Sequence, residues 1–318
     1  MRNKEHKKFN AAERALARFI TLPVKEQYFE ENEGPQKELE LLPFLIKAMG
    51  ISRTAAKSLL THRLVYVNNR IETQHNTPIR PGMAVKVSKD KNRKDFSSHW
   101  LDIIYEDAYL IVIHKRCGLL SIATDPKRNE RTAYSILSEY VRRSNRQGRI
   151  FIVHRLDRET SGLMVFAKDE RTKFSLQDYW HRIVQDRRYI AVVEGQIDPP
   201  QGCITSWLKD NKVYVTYSSP TDNGGDYAVT HYRTLQSGPE YSLVEFKLET
   251  GRKNQIRVHM QDKHTPIVGD LKYGSGNNPI GRLALHAYRL AFTHPVTGEN
   301  LSFSLPIPQA FKNLIKGK

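Results

Sequence analysis

The larger part of this chain is predicted to fold as an α+β domain around a mainly antiparallel or mixed central sheet with flanking helices. A small α/β module precedes it. Three observations carry this expectation. From residue 100 onward many short apolar runs recur, while helical patterns are confined to about 132–146 and 170–185, so strands and helices do not alternate as a doubly wound sheet requires. No glycine-rich phosphate loop or dinucleotide fingerprint follows any of the runs, which argues against a nucleotide-cofactor enzyme. The residues before 100 have a different character, being strongly basic and only locally apolar.

With 318 residues, 39% of them hydrophobic, the chain is long enough for one large domain and a small one and apolar enough to bury a core. It carries 50 Lys+Arg against 34 Asp+Glu, a formal net charge of +16. Such an excess predicts attraction to polyanions, nucleic acid first and an anionic membrane surface second. Divided along the chain, the net charge is +1 over residues 1–36, +7 over 37–95 and +8 over 96–318, so it is densest in the short middle segment. The two cysteines, Cys117 and Cys203, lie far apart, which leaves neither a disulfide framework nor a multi-thiolate metal site and points to a reducing compartment. The basic start of the chain lacks an apolar leader, and no run approaches the length of a membrane span. A cytoplasmic protein with no membrane partner, acting as a monomer, is expected.

The elements follow in order. Residues 1–36 read as a tail or accessory arm, with one amphipathic pattern at 10–20. Residues 37–88 read as a compact module. Leu39, Leu42, Leu45 and Ile46 recur at helical spacing. After Gly50, Ser52 can cap a second helix whose apolar face is Ala55, Ala56, Leu59 and Leu60, while Arg53, Lys57 and Arg63 project elsewhere. A strand at Val65–Val67, a turn at Asn68-Asn69, the break Pro81-Gly82 and a strand at Val85–Val87 complete it. Residues 89–99 are polar and read as a linker, and residues 100–318 form the large domain.

Within the large domain the strands are expected at 103–105, 110–113, 151–153, 163–166, 189–193, 241–246 and 256–258. In HRLDRETSGLMVFAKD (154–169) an aspartate, Asp157, sits between basic residues in a loop joining two apolar strands, a position from which an ionised carboxylate is presented at a cleft or caps a turn. In LETGRKNQIRVHMQDKHTPIVGDLKYG (248–274), Arg252, Arg257 and His259 cluster with Asp262 and Asp270. Arg257 alternates with Ile256 and Val258, as on a strand. Tyr189 begins the strand in RRYIAVVEG.

The string ISRTAAKSLLTHRLVYVNNR followed by IRPGMAVKV resembles the S-four type RNA-binding domain over about 50 residues. That resemblance implies binding of structured RNA through the helix bearing Arg53 and Lys57. Residues 100–310 resemble the RluA-type pseudouridine synthases. The run H-R-L-D-x-x-T-S-G-L with A-K at 154–168, G-R-x-x-Q-I-R-V-H at 251–259, P-I-x-G-D at 266–270, Tyr273-Gly274 and LALHAYRLAFTHPVTGE at 283–299 carry the likeness. It implies the pseudouridine synthase fold with a cleft across the sheet, Asp157 as catalytic carboxylate, Arg257 as its ion-pair partner and Tyr189 stacking beside the target uracil. Arg155 would fill the vacated base stack, and Arg158, Lys168, Arg187, Arg188 and Arg252 would meet phosphates. No cofactor or metal is implied, because the reaction conserves atoms. The substrate implied is structured RNA, with large-subunit ribosomal RNA ahead of transfer RNA. A non-catalytic RNA-binding or ribosome-assembly factor on the same fold, and a hydrolase using Asp157 and a histidine, are the alternatives. Local departures from the family pattern are Arg116-Cys117 where Pro-Ala is usual, Lys253-Asn254 where Thr-His is usual, His62 in the small module and His264 where glycine is common.

Overall fold

The computed structural model describes residues 19–29, 38–61, 64–68, 70–88, 96, 98–123 and 130–316. Of the amphipathic pattern at 10–20, residues 10–18 lie outside them and residues 19–20 lie in a strand; Asn69, His62, Arg63 and linker residues 89–95 and 97 also lie outside them.

The N-terminal part contains strands β1 (Phe19–Pro23), β2 (Leu39–Glu40), β3 (Val65–Val67), β4 (Arg70–Ile71), β5 (Pro78–Ile79) and β6 (Ala84–Ser88), with helices α1 (Leu41–Met49) and α2 (Arg53–Thr61). One sheet runs β1-β6-β3-β4, and β2 pairs with β5. Helix α1 buries Leu41, Leu42, Phe44 and Leu45 and ends at Gly50, whose φ of 62° supplies the left-handed cap. Ser52 Oγ accepts the Ala55 N–H at 3.2 Å, the cap expected for α2. Ala56 and Leu60 of α2 pack into the same core as Val65, Val85 and Val87. Arg53 and Lys57 lie one helical turn apart and are exposed.

Residues 19–23, inside the segment read as a tail or accessory arm, form the edge strand against β6 in register Phe19↔Ser88 to Pro23↔Ala84. Of the five residues only Leu22 is buried, so the strand has no apolar alternation to betray it. The assumed linker is not wholly free either. The Phe96 ring meets Tyr140 edge-on at 5.1 Å and joins the core of the large domain.

That domain adds β7 (Leu101–Glu106), β8 (Leu110–Lys115), β9 (Phe151–Ile152), β10 (Ser161–Ala167), β11 (Val184–Glu194), β12 (Gln201–Asp210), β13 (Thr216–Ser219), β14 (Asp226–Ser237), β15 (Tyr241–Leu248), β16 (Leu285–Thr293) and β17 (Asn300–Ser304). Its helices are α3 (Ala133–Ser144), α4 (Glu170–Asp178), α5 (Trp180–Ile183), α6 (Gln255–Asp262) and α7 (Gln309–Ile315). The strands join in one sheet, β13-β12-β14-β15-β11-β16-β10-β8-β7, with β17 on β16 and β9 on β10. This is the mixed α+β architecture anticipated from the sequence. Antiparallel pairing holds throughout except at β10 and β16, which run parallel and exchange only Ser161↔His286 and Gly162↔Ala287.

Every residue of β10 is buried because both faces are covered. Met164 and Phe166 enter one core with Ile136, Leu137 and Ile190, while Leu163, Val165 and Ala167 enter another with Leu176, Phe292 and Phe303. At its start, Gly162 has φ 129°, and a Cβ there would stand 2.3 Å from the Ala287 carbonyl oxygen. Glycine is what lets β10 reach β16.

The expected strand at 256–258 is instead the start of helix α6. Ile256, Val258 and Met260 are apolar with period two, but Ile256 and Met260 also lie four apart, and they pack on one core while Val258 packs on another. Over so short a run the two periods coincide. Asn254, with φ 54°, turns the chain into the helix, and Gln255 ties it to β14 by donating to Val229 O at 3.0 Å and Thr230 Oγ1 at 2.8 Å.

Candidate active site

The loop carrying Asp157 is held from both sides by backbone contacts. Ser121 Oγ donates to the Leu156 carbonyl at 2.6 Å and accepts the Leu156 N–H at 3.1 Å, so one hydroxyl fixes both polar groups of the preceding residue. The fully buried Lys115 ammonium donates to the carbonyls of Leu119 at 2.7 Å, Arg158 at 3.0 Å and Arg116 at 3.1 Å. Burial lowers the Lys115 pKa to about 8. Gly118 N–H donates to the same Arg158 carbonyl, and Thr160 N–H closes a turn on the Asp157 carbonyl at 3.2 Å.

His154, the first residue of the H-R-L-D run, looks away from Asp157. Its Nε2 accepts the Val165 N–H at 3.1 Å, and its ring lies 4.9 Å from that of Trp180. That geometry needs an unprotonated nitrogen, and burial, helped by the Arg187 charge, holds its pKa near 3. His259 is similar. It bridges Ser206 and Thr230 at 2.9 Å each, and burial lowers its pKa to about 4. Asp262 accepts from Ser218 Oγ at 2.6 Å. The cluster suggested by spacing thus separates, leaving Arg257 and Asp270 together.

Arg257 is the hinge of the site. Its Nε and Nη2 donate to the Asp270 carboxylate at 2.8 and 2.7 Å, a two-pronged pair with an Asp270 side chain wholly out of solvent. Its Nη1 donates to Asn254 Oδ1 at 3.0 Å and lies 3.6 Å from Asp157 Oδ2. The guanidinium also sits 4.9 Å over the Tyr273 ring. Burial works against its charge, but the Asp270 hydrogen bonds and the charges of Asp270 and Asp157 outweigh it and raise its pKa. The expected Asp157–Arg257 pair is therefore present at ion-pair range, while the tight partner of Arg257 is Asp270. Asp157 keeps 27% of its side chain exposed and is the carboxylate turned toward the open side.

Tyr189, from β11, is buried at its ring and lines the cleft with Asp157, Thr160, Arg257 and Leu285, around a volume of about 190 Å³. Arg187, two residues earlier on the same face, donates to its hydroxyl through Nε at 3.1 Å and Nη2 at 2.6 Å. The pairing of β11 with β16 shifts register between Arg188 and Tyr189, a bulge where the strands pass beneath the cleft.

The remaining candidates divide. Arg155 is exposed and lines the cleft. Arg252 also lines it, held by the Tyr227 carbonyl at 3.1 Å and by Asp226 at 3.2 Å. Arg158 turns outward to Glu130 at 3.2 Å. Lys168 is paired with Glu106 at 2.8 Å, and Arg188 with Asp186 and Glu245 at 2.7 and 3.0 Å, which engages three of the proposed phosphate contacts within the fold. Arg53 and Lys57 lie on α2, in the N-terminal part. Sequence reasoning did not find Ser121, whose partner is 35 positions away, nor the anchoring role of Lys115. Asn254 was visible only as a departure from a pattern. Another departure, His264, occupies φ 57°, the left-handed conformation that a glycine takes without cost.

The RNA pseudouridylate synthase family model matches residues 109–262, which include Asp157, Tyr189 and Arg257. An uncharacterized RNA pseudouridine synthase of Bacillus subtilis, YhcT, is 31% identical over 285 residues, covering 87% of this chain and 92% of its own. The chain belongs to the RluA-type RNA pseudouridine synthases. Among other relatives of this synthase, the ribosomal large subunit pseudouridine synthase D of Vibrio cholerae is 33% identical over 280 residues, covering 81% of this chain and 84% of its own. The protein of the same name from Neisseria meningitidis is 38% identical over 229 residues, 68% of this chain and 60% of that one. The solved structure of human RNA pseudouridylate synthase domain containing 4 shares the fold, with a TM-score of 0.54 at 24% identity over 66% of this chain and 90% of that one. No helix among the described residues of the synthase is long and apolar enough to cross a membrane.

Proposed function

We propose that Asp157 is the catalytic carboxylate of the synthase and that its substrate is a uridine in structured RNA, of the large ribosomal subunit before transfer RNA. The observation that carries the reading is the pairing of carboxylates on Arg257: Asp270, dry and bidentate, fixes the guanidinium, and Asp157, partly open to the cleft, shares its charge at 3.6 Å. Isomerisation breaks the bond from ribose to the uracil nitrogen, turns the base and rejoins it through a ring carbon; that carbon gives up its hydrogen as a proton and the freed nitrogen takes one up, so the atoms balance. An ionised carboxylate held against a fixed cation is preorganised for charge that develops at the sugar-base junction. Tyr189 forms the wall on which the uracil rests. Arg155 enters the stack that the base leaves, at a cost of a few kcal/mol that is least in looped RNA. Arg252 orients the flanking phosphate.

The relatives named for the large ribosomal subunit favour that RNA. The α2 face with Arg53 and Lys57 serves as an anchor on structured RNA outside the cleft. The module at 37–88, extended by β1, is the unit that carries this anchor. A cytoplasmic monomer is the state in which it acts.

Asp157→Asn tests the catalytic assignment. Tritium release from uridine-labelled total RNA falls to background while RNA affinity and the melting point stay near wild type; turnover retained in the variant overturns the assignment. A map of pseudouridines in ribosomal and transfer RNA with and without the gene decides the substrate.

A further inference from the structure

The tip of the β12–β13 hairpin has features that the fold does not need. Val213 and Tyr214 are 73% and 76% exposed, and Tyr214 has φ 60°, a left-handed conformation unfavourable for a bulky residue. The tip is nevertheless held firmly. Asn211 Oδ1 accepts the N–H groups of Val213 and Val215 at 3.0 and 2.9 Å, and Tyr214 N–H returns to the Asn211 carbonyl at 3.0 Å.

Two lysines then fasten the Tyr214 carbonyl to the rim of the site. Lys253, which lines the cleft, donates to it at 3.2 Å and to Asp210 at 2.6 Å. Lys272, two residues after the Asp270 that grips Arg257, approaches it at 3.5 Å. Lys209 and Lys212 lie on the same hairpin and are exposed. Asp210 is occupied by Lys253 and the Thr216 hydroxyl, so the tip carries a net positive field.

We infer that Tyr214 is a stacking post for an unpaired base of the RNA strand leaving the cleft, with Lys253 and Lys272 directing its phosphates. The inference rests on the reading of the cleft as the place where the target uridine is received. A ring that is rigidly mounted and exposed among cations is suited to stacking on a base without reading its sequence. A second copy of this chain would bring the same lysines to the contact and be repelled.

The test uses the full chain and a labelled oligouridylate of about ten nucleotides, a length within one such binding site. Tyr214→Gly removes the ring and relieves the backbone, so the hairpin keeps its fold and the melting point does not fall. Its affinity for the oligouridylate falls by about tenfold, Tyr214→Phe retains wild-type affinity, and the slope of affinity against salt stays the same because no charge is lost. Affinity within twofold of wild type in Tyr214→Gly overturns the inference, as does an equal loss in Tyr214→Phe. Self-association abolished by Tyr214→Gly with RNA affinity intact overturns it in favour of a protein contact. Binding is read without turnover, so these outcomes stand apart from the fate of the Asp157 assignment.

Discussion

The loop around Asp157 and the helix bearing Arg53 and Lys57 treat their charged side chains in opposite ways. Around Asp157 the backbone is gripped by Ser121 and Lys115, and the cation opposite is gripped by Asp270 and Asn254. On α2 the two cations stand in solvent one turn apart. Chemistry on a bond needs groups fixed before the substrate arrives, whereas attraction to a phosphate chain needs only charge of the right sign at an accessible place. On the proposed roles, substitutions around Asp157 act on rate and substitutions on α2 act on affinity.

The largest break in that contrast comes from Asp270→Ala. It leaves the Arg257 charge buried without its main partner, which costs about 3 kcal/mol or more, and it frees the guanidinium to move. Single-turnover release at saturating RNA falls by about 100-fold, with a lowered urea midpoint. A lowered midpoint with an unchanged rate would confine Asp270 to stability.

Acid sharpens the contrast next. His154 and His286 have pKa values near 3, and His114 and His259 near 4, in each case chiefly through burial, against an ordinary 6.5. The unfolded chain therefore binds more protons than the folded one between pH 6.5 and 4. Stability from these groups is complete above pH 6.5 and falls with pH, by roughly 1.4 kcal/mol per pH unit for each histidine that stays neutral in the fold. All four are in the catalytic domain. Hydrogen exchange at pH 7 and pH 5 is expected to show protection lost there, in β10, β16 and α6, ahead of β3 and β6. Equal loss in both parts would contradict this account.

The smallest effect is reserved for the exposed cations. Arg53→Ala with Lys57→Ala weakens binding of structured ribosomal RNA by several-fold and reduces the logarithmic salt slope by about 1 to 2. The single-turnover rate at saturating RNA stays unchanged. A slope equal to wild type would remove α2 from the binding surface.

The same contrast explains what could be read from the sequence. Asp157 was legible because its surroundings are contiguous, an apolar strand on either side of H-R-L-D and a glycine that permits the close approach of β10 to β16. Strands β7 to β11 and β15 were legible as short apolar runs, because a sheet covered on both faces buries consecutive residues, as along β10; β12, β13, β14, β16 and β17 were not among the strands expected. Helix α6 was not, since three apolar residues with period two satisfy a strand and a helix alike. Strand β1 was not, having one buried residue. The grip of Ser121 on Leu156 joins segments 35 positions apart, and nothing local records it; Asp270 stood in the same island as Arg257, but spacing did not separate it from Asp262 as the partner.

The parallel contact between β10 and β16 has a consequence for how this sheet tolerates change. It consists of two residue pairs, yet the strand carrying Asp157 at its entrance lies on one side and the strand carrying Tyr189 on the other. Each half of the sheet has long antiparallel ladders of its own, so substitutions within a half are absorbed locally. At the junction nothing absorbs them. A single methyl group on residue 162 would meet the Ala287 backbone at 2.3 Å and be transmitted to both walls of the cleft at once. The seam between β10 and β16 is thus a place where one added carbon reaches both sides of the cleft together.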